Sequence, residues 1–271
     1  MMWALLVLIV LIAIYLFLIA PACRRPDTAR LDGWLYAHRG LHDGNKNVPE
    51  NSMAAFARAV EQGFGMELDV QLTRDGQLVV HHDGTLKRVC GVDRKIREVD
   101  LDDLPLLPDG SRIPLFRDVL TMVDGRAPII VEVKHYGGAA KVAKAALEAL
   151  QTYGGAYCVE SFDPTAMAYF RRHAPNVVRG QLASGGRWDR SALNLPSYIA
   201  LRGLLVHVLS RPHFVAYSVP EDHTLSMWLM KRVFRPKLAC WTVRSQSVLD
   251  ESRQKDYAYP IFEGFLPKEH A

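Results

Sequence analysis

The chain has 271 residues, 49% of them hydrophobic, and a formal net charge of +4. That content supplies a large core, and with no long basic run after the first thirty residues nothing supports a nucleic-acid partner. Four cysteines, Cys23, Cys90, Cys158 and Cys240, show neither CxxC nor metal-ligand spacing, which argues against a disulfide framework and favours a reducing compartment.

The first segment is apolar. Trp3 to Ala20 runs for 18 residues without a charge. As a helix it would be roughly 27 Å long, close to a bilayer core, so residues 1–22 are predicted to be a transmembrane anchor. No Lys or Arg precedes the run, whereas Arg24, Arg25 and Arg30 follow it. The positive-inside rule then predicts a single-pass membrane protein with the domain that follows the span in the cytoplasm. A secretory signal normally carries a positive n-region, which is missing. The stretch Ala20-Pro21-Ala22-Cys23 loosely resembles a bacterial lipoprotein cleavage site, which would place the domain outside. Pro21 and the uncharged start weigh against that alternative.

Residues 23–33, with Pro26 and Gly33, are a predicted linker. Residues 34–271 have a usual length for one (β/α)8 barrel. Trp34 to His38 is predicted as the first strand. Asn51 or Ser52 caps a helix that ends near Gln62, before Gly63. Phe64 to Val70 is the second strand and Leu78 to His82 the third, with a hairpin-like Asp75-Gly76 turn between them. Residues 84–127 carry three prolines and are predicted as an insertion, with a helix at Leu115 to Val123. Pro128 to Lys134, Tyr157 to Ser161, Val177 to Leu182, Phe214 to Ser218 and Leu238 to Val243 complete a count of eight strands. Helices at Ala139 to Tyr153 and from Asp163-Pro164 to His173 fall between them. The order predicts an α/β fold, a parallel (β/α)8 TIM-type barrel with a small insertion after the third strand, preceded by one transmembrane helix.

Polar residues recur at the ends of the apolar runs. Glu67 and Asp69 stand two apart in a strand, so both face the same side. Two inward carboxylates repel unless a cation lies between them. Oxygen donors suit Mg²⁺, Ca²⁺ or Mn²⁺, and Glu132 offers a third carboxylate. The bland alternative is ion pairing with Arg39 or Lys134. His38 and His82 each end a strand, where barrel enzymes place catalytic groups, and can serve as general acid and base. His81 should face away. Arg39 and Lys134 are the candidate phosphate ligands.

At these residues the chain resembles the glycerophosphodiester phosphodiesterase family. The resemblance rests on His38-Arg39-Gly40, Pro49-Glu50-Asn51, Glu67-Leu68-Asp69-Val70, Thr73-Arg74-Asp75-Gly76, Val79-Val80-His81-His82-Asp83 and Glu132-Val133-Lys134. Ser161-Phe162 and Trp241-Thr242-Val243 extend it to about residue 245. It implies a barrel fold, a divalent metal (Ca²⁺ or Mg²⁺) held by Glu67, Asp69 and Glu132, an acid/base pair in His38 and His82, and phosphate contacts from Arg39 and Lys134. Glu50 takes the family's acidic position as a supporting residue. Two places differ from the family pattern. Arg244 stands where an asparagine is usual, and the tail reads Tyr259-Pro260-Ile261-Phe262-Glu263.

The expected activity is metal-dependent hydrolysis of a glycerophosphodiester to sn-glycerol 3-phosphate and an alcohol. Neither the order of acid and base nor the nucleophile, a glycerol hydroxyl or water, is set by the sequence. One alternative keeps the barrel but acts on lipid, as a membrane lysophospholipase D or phospholipase-type lyase. A second is a non-catalytic module that binds phosphodiesters.

Overall fold

The computed structural model describes residues 1–184, 194–219 and 223–268. Its centre is a closed parallel barrel. Strand β1 (Tyr36–Ala37) pairs with β2 (Gly65–Leu72) on one side and β9 (Tyr259–Phe262) on the other. From β2 the order continues through β4 (Ile129–Val133), β5 (Tyr157–Ser161), β6 (Arg179–Ala183), β7 (Phe214–Ser218) and β8 (Lys237–Val243) back to β9. Most of these strands are buried along their whole length, as expected of parallel strands covered on both faces.

The predicted barrel holds, but two strands change places. Leu78–Val80, β3, is antiparallel to β2 and lies outside the ring. The Asp75-Gly76 turn, with Gly76 at φ +79°, is too short for the crossover that a parallel strand needs. The eighth barrel strand is instead β9, in the segment read as a tail. Its Pro260 lacks an N–H and so hides the strand signal, although Cys240 and Pro260 are register partners. Everything between β2 and β4 is therefore one long connection. It holds a short helix α3 (Lys87–Cys90), two 3₁₀ turns and the helix α4 (Phe116–Val123). A small core of its own, including Val79, Leu86, Ile96, Val99 and Ile113, supports it.

The helices follow their caps. Ser52, not Asn51, caps α2 (Met53–Glu61) by accepting from the Ala55 amide at 3.1 Å. Asp163 caps α6 (Pro164–His173), accepting from Thr165 at 2.8 Å with Pro164 in the first turn. Helix α5 (Ala139–Leu150) buries Val142, Ala143, Ala146, Leu147 and Leu150, spaced as one helical face. After β6 come α7 (Leu195–Arg202) and α8 (His207–Ser210), and after β7 comes α9 (Leu225–Leu229), which runs into a π turn at Met230–Phe234. Helix α10 (Gln246–Gln254) leads to β9. Cys158 and Cys240 are buried free thiols, as small apolar residues in strands.

The N-terminal helix α1 (Met2–Ile19) has a mean hydropathy of 3.1. Among the described residues it alone is long and apolar enough to cross a membrane. Residues 1–14 are exposed throughout, and contact with the barrel begins at Tyr15. Its C-terminal end is tied down by polar bonds. The Ile19 carbonyl lies 2.8 Å from His207 Nδ1, and Arg211 donates to the carbonyls of Phe17 and Ala20 at 2.8 Å each. The Arg211 guanidinium also sits 4.5 Å from the Phe17 ring centre. Arg25 then donates to Phe234 and Arg235 carbonyls just before β8.

Candidate active site

The C-terminal ends of the strands surround a cavity of about 1050 Å³. Register builds its acidic floor. Asp69 is paired with Glu132, and Glu132 with Glu160, across three neighbouring parallel strands. Glu67 stands on the same face of β2, two residues before Asp69. Oxygens of Glu67, Asp69 and Glu132 lie within 4.8 Å of one another. The expected three-carboxylate cluster is therefore present, and so is its bland partner. Lys134 Nζ is 2.8 Å from Glu132 Oε1 and 3.1 Å from Asp69 Oδ1.

One lysine does not balance this floor. Burial, and then Asp69, Glu132 and Glu160, push Glu67 well above the usual carboxylate range. Burial, together with Glu132 and Asp69, does the same to Glu160. Asp69 goes the other way: burial opposes its charge, but Lys134, His82, Arg39 and the Asn51 amide hold it well below its ordinary value. Such a surplus of buried, oxygen-only donors fits a hard divalent cation.

A tight turn brings Arg39 over the cluster. Arg39 has φ 55° and Gly40 φ +78°, and a Cβ on Gly40 would lie 2.8 Å from that of Ala55, so only glycine fits there. The turn aims the Arg39 amide at Glu67 Oε2, 3.0 Å away. The Arg39 guanidinium donates to Glu50 at 2.7 Å and has its Nε 3.8 Å from Asp69. Glu50 does not join the acidic floor. It receives Arg39, the Asn45 amide and two bonds from Arg88 at 2.6 and 2.7 Å. Burial would raise its pKa, but Arg88 and Arg39 hold it down to about 2. Its position is that of a clamp behind Arg39.

Both histidines line the cavity, each with a carboxylate nearby. His82 Nδ1 is 2.6 Å from Asp83, whose other oxygen accepts from Arg88 at 2.6 Å. His38 Nδ1 is 3.5 Å from Glu263, and its Nε2 is 3.9 Å from Glu67. Burial lowers the His38 pKa, outweighing Glu263. His81 is buried and does not line the cavity, as its alternation in the strand implies.

Several site residues lay outside the sequence reading. Glu160 gave the same signal as Glu132, a lone carboxylate in an apolar strand, and its Oε2 is buried without a hydrogen bond. Asn51 donates to Asp69 at 2.8 Å. Glu263 follows the strand that was read as a tail. Besides His38 it lies 3.4 Å from His42, and it accepts from Arg244 at 2.8 Å. The two departures from the family pattern thus meet each other. Arg88 carried no sequence signal, because Glu50 lies 38 residues away in the chain and only the fold brings it beside the nearby Asp83.

Apolar side chains also line the cavity away from the carboxylates, beside Ser184, Ser197 and Ser218. They are those of Leu182, Ala200, Leu201, Val206, Val219, Phe162 and Trp241.

A barrel with two histidines, an arginine, a lysine and a carboxylate cluster gathered at the ends of its strands is an enzyme of the phosphodiesterase kind. A model of the Glycerophosphoryl diester phosphodiesterase family matches residues 38–259, and the chain belongs to that family. It is 33% identical over 183 residues to a glycerophosphodiester phosphodiesterase of Caldanaerobacter subterraneus subsp. tengcongensis, covering 61% of this chain and 70% of that one. It is 46% identical over 114 residues to a human lysophospholipase D, a match of 36% of this chain and 35% of the relative. Among solved structures, a glycerophosphodiester phosphodiesterase from Thermotoga maritima superposes with a TM-score of 0.67 at 26% identity, covering 85% of this chain and 94% of that one. An Oleispira antarctica phosphodiesterase, determined with its product sn-glycerol-3-phosphate, shares the fold with a TM-score of 0.70 at 20% identity over 86% and 94% of the two chains.

Proposed function

We propose that this protein hydrolyses glycerophosphodiesters to sn-glycerol 3-phosphate and an alcohol. The observation that carries the reading is one cavity lined at once by His38, His82, Arg39, Lys134, Glu67 and Glu132. Arg39 and Lys134 take non-bridging oxygens of the phosphate, Arg39 from its fixed turn and Lys134 from beneath. His38, kept neutral by burial, accepts the proton of the attacking hydroxyl. His82, held by Asp83, donates a proton to the departing alkoxide. A second pass in the reverse sense, with water as nucleophile, restores both imidazoles if the first attack comes from the substrate's own hydroxyl.

Glu67, Asp69 and Glu132 are the residues that would hold a divalent cation, Ca²⁺ or Mg²⁺. When bound, such an ion supplies positive charge against the phosphate and Lewis acidity. Asn51 fixes Asp69, and the Arg39 amide fixes Glu67, so the donors are oriented in advance.

A second reading takes a lipid as substrate, as a lysophospholipase D does. The apolar side chains that line the cavity and the apolar α1 favour it. For location, α1 spans a membrane with the barrel on the cytoplasmic side, in keeping with Arg24, Arg25 and Arg30 on its C-terminal flank. An impermeant thiol reagent tests this. Cys23 is exposed and should be labelled in opened but not intact cells, whereas labelling of intact cells rejects the topology. The reaction is tested by following glycerol 3-phosphate release from glycerophosphocholine and glycerophosphoethanolamine, before and after chelation. No release from any glycerophosphodiester, with Ca²⁺ and Mg²⁺ both supplied, rejects it and leaves a binding module.

A further inference from the structure

Helix α1 leaves the barrel on the side where the active site opens. Its C-terminal end is fastened to Arg211 and Pro212, just before β7 begins, and to Arg235 through Arg25, just before β8 begins. These are the N-terminal ends of the strands. Going back along α1, Tyr15 hydrogen-bonds Ser226, at the start of the helix that follows β7. That helix begins at the C-terminal end of the barrel. The exposed residues 1–14 therefore project past the face that carries the cavity mouth.

Length makes this placement consequential. The exposed helical residues from Met2 to Ile14 reach roughly 20 Å, short of a hydrocarbon core of about 30 Å. If α1 spans a bilayer, the turn at Tyr15–Ile19, and whatever stands beside it, lies at membrane depth. What stands beside it is apolar and uncovered. Leu225 is 65% exposed and Trp228 56%, both on the outer face of α9. Ser226 also donates to the Arg202 carbonyl at 3.3 Å, which joins α9 to α7. Helix α7 is two-sided. Ser197, Ala200 and Leu201 line the cavity, while Leu195 and Ile199 on the other side are 59% and 52% exposed. Leu195 and Ile199 are four residues apart and share one stripe. Tryptophan with nearby Arg202 and Lys231 suits a membrane–water boundary.

We infer that Leu195, Ile199, Leu225 and Trp228 form a bilayer-contacting rim continuous with α1, which seats the cavity mouth on the lipid surface and admits single-chain glycerophospholipids directly from it. The second half of this inference rests on the phosphodiesterase reading above. The first half does not.

The full chain in bilayer vesicles tests both halves. The difference in fluorescence between wild type and Trp228→Phe isolates the one indole. In phosphatidylcholine brominated on its acyl chains that signal should be quenched relative to unbrominated lipid. An unquenched Trp228 overturns the rim, as does a detergent-stable dimer that shields it instead. For the second half, Leu225→Glu/Trp228→Glu should lower turnover of bilayer-embedded lysophosphatidylcholine about tenfold, while leaving glycerophosphocholine turnover in solution unchanged. Loss of neither activity, or equal loss of both, overturns lipid entry through this rim. A quenched Trp228 in a chain inactive on both substrates refutes the phosphodiesterase reading and leaves the membrane contact standing. The quenching measurement needs only the phenylalanine variant, so poor folding of the glutamate variant does not shelter the inference.

Discussion

Arg88 is the residue that ties the two halves of the site together. It grips Glu50, which holds Arg39, and Asp83, which holds His82. It does not itself line the cavity. Replacing it with methionine should lower kcat about tenfold or more with little change in KM, and lysine should restore only part, because a single ammonium cannot reproduce a fork. An unchanged kcat would dismiss the positioning role. In the proposed reaction His38→Ala and His82→Ala remove the groups that move protons, so each should cost roughly 10²- to 10⁴-fold in turnover with the thermal midpoint little moved. Chelation should abolish activity and Ca²⁺ or Mg²⁺ should restore it, since Glu67 and Glu160 already show too much negative charge for Lys134 alone. Full turnover after complete chelation would exclude the metal. The acidic pair on β2, the strand-end histidines and the two cations were all legible from spacing. Glu263 and Arg88 were not, because each acts through a neighbour that only the fold supplies.

At the scale of elements, capping residues and apolar stripes were the dependable signals. Ser52 and Asp163 sit where the sequence places them, and α2, α5 and α6 follow. The strands were harder. Residues Leu78–Val80 have the composition of a barrel strand, and only the tightness of the preceding turn says that they fold back. Tyr259–Phe262 carries a proline, which argues against a strand unless its N–H is not needed. A count of eight therefore came out right with one wrong member. Ser52→Ala should destabilise the fold by about 1 kcal/mol, read as a lower urea midpoint. It should also loosen the site, since Ser52 donates to Pro49 at 2.7 Å and so steadies the Glu50-Asn51 turn. A variant with wild-type stability and activity would show that the cap is dispensable.

For the whole molecule, the junction of α1 and the barrel should weaken in acid. His207 is fully buried, with Nδ1 at the Ile19 carbonyl, and burial depresses its pKa from 6.5 to about 4. Between those values the unfolded chain binds a proton that the fold refuses, so stability falls as pH drops below 6.5. Glu67 and Glu160 titrate in the opposite sense, because the fold raises them. The informative quantity is hence the stability difference between wild type and His207→Gln. It should fall by about 2 kcal/mol from pH 7 to pH 5. Urea titrations at both pH values check it, and a difference that stays constant would refute it.

Strand β9 completes the ring between β8 and β1, and Glu263 follows it directly to meet His38. Wall and cavity-lining imidazole are thus finished by one short stretch of chain. A version cut after α10 would present two raw strand edges, β1 and β8, inviting association with other chains. The same cut would strip the imidazole of its companion acid. In this molecule, losing the last staves of the cask and disarming its contents are a single event.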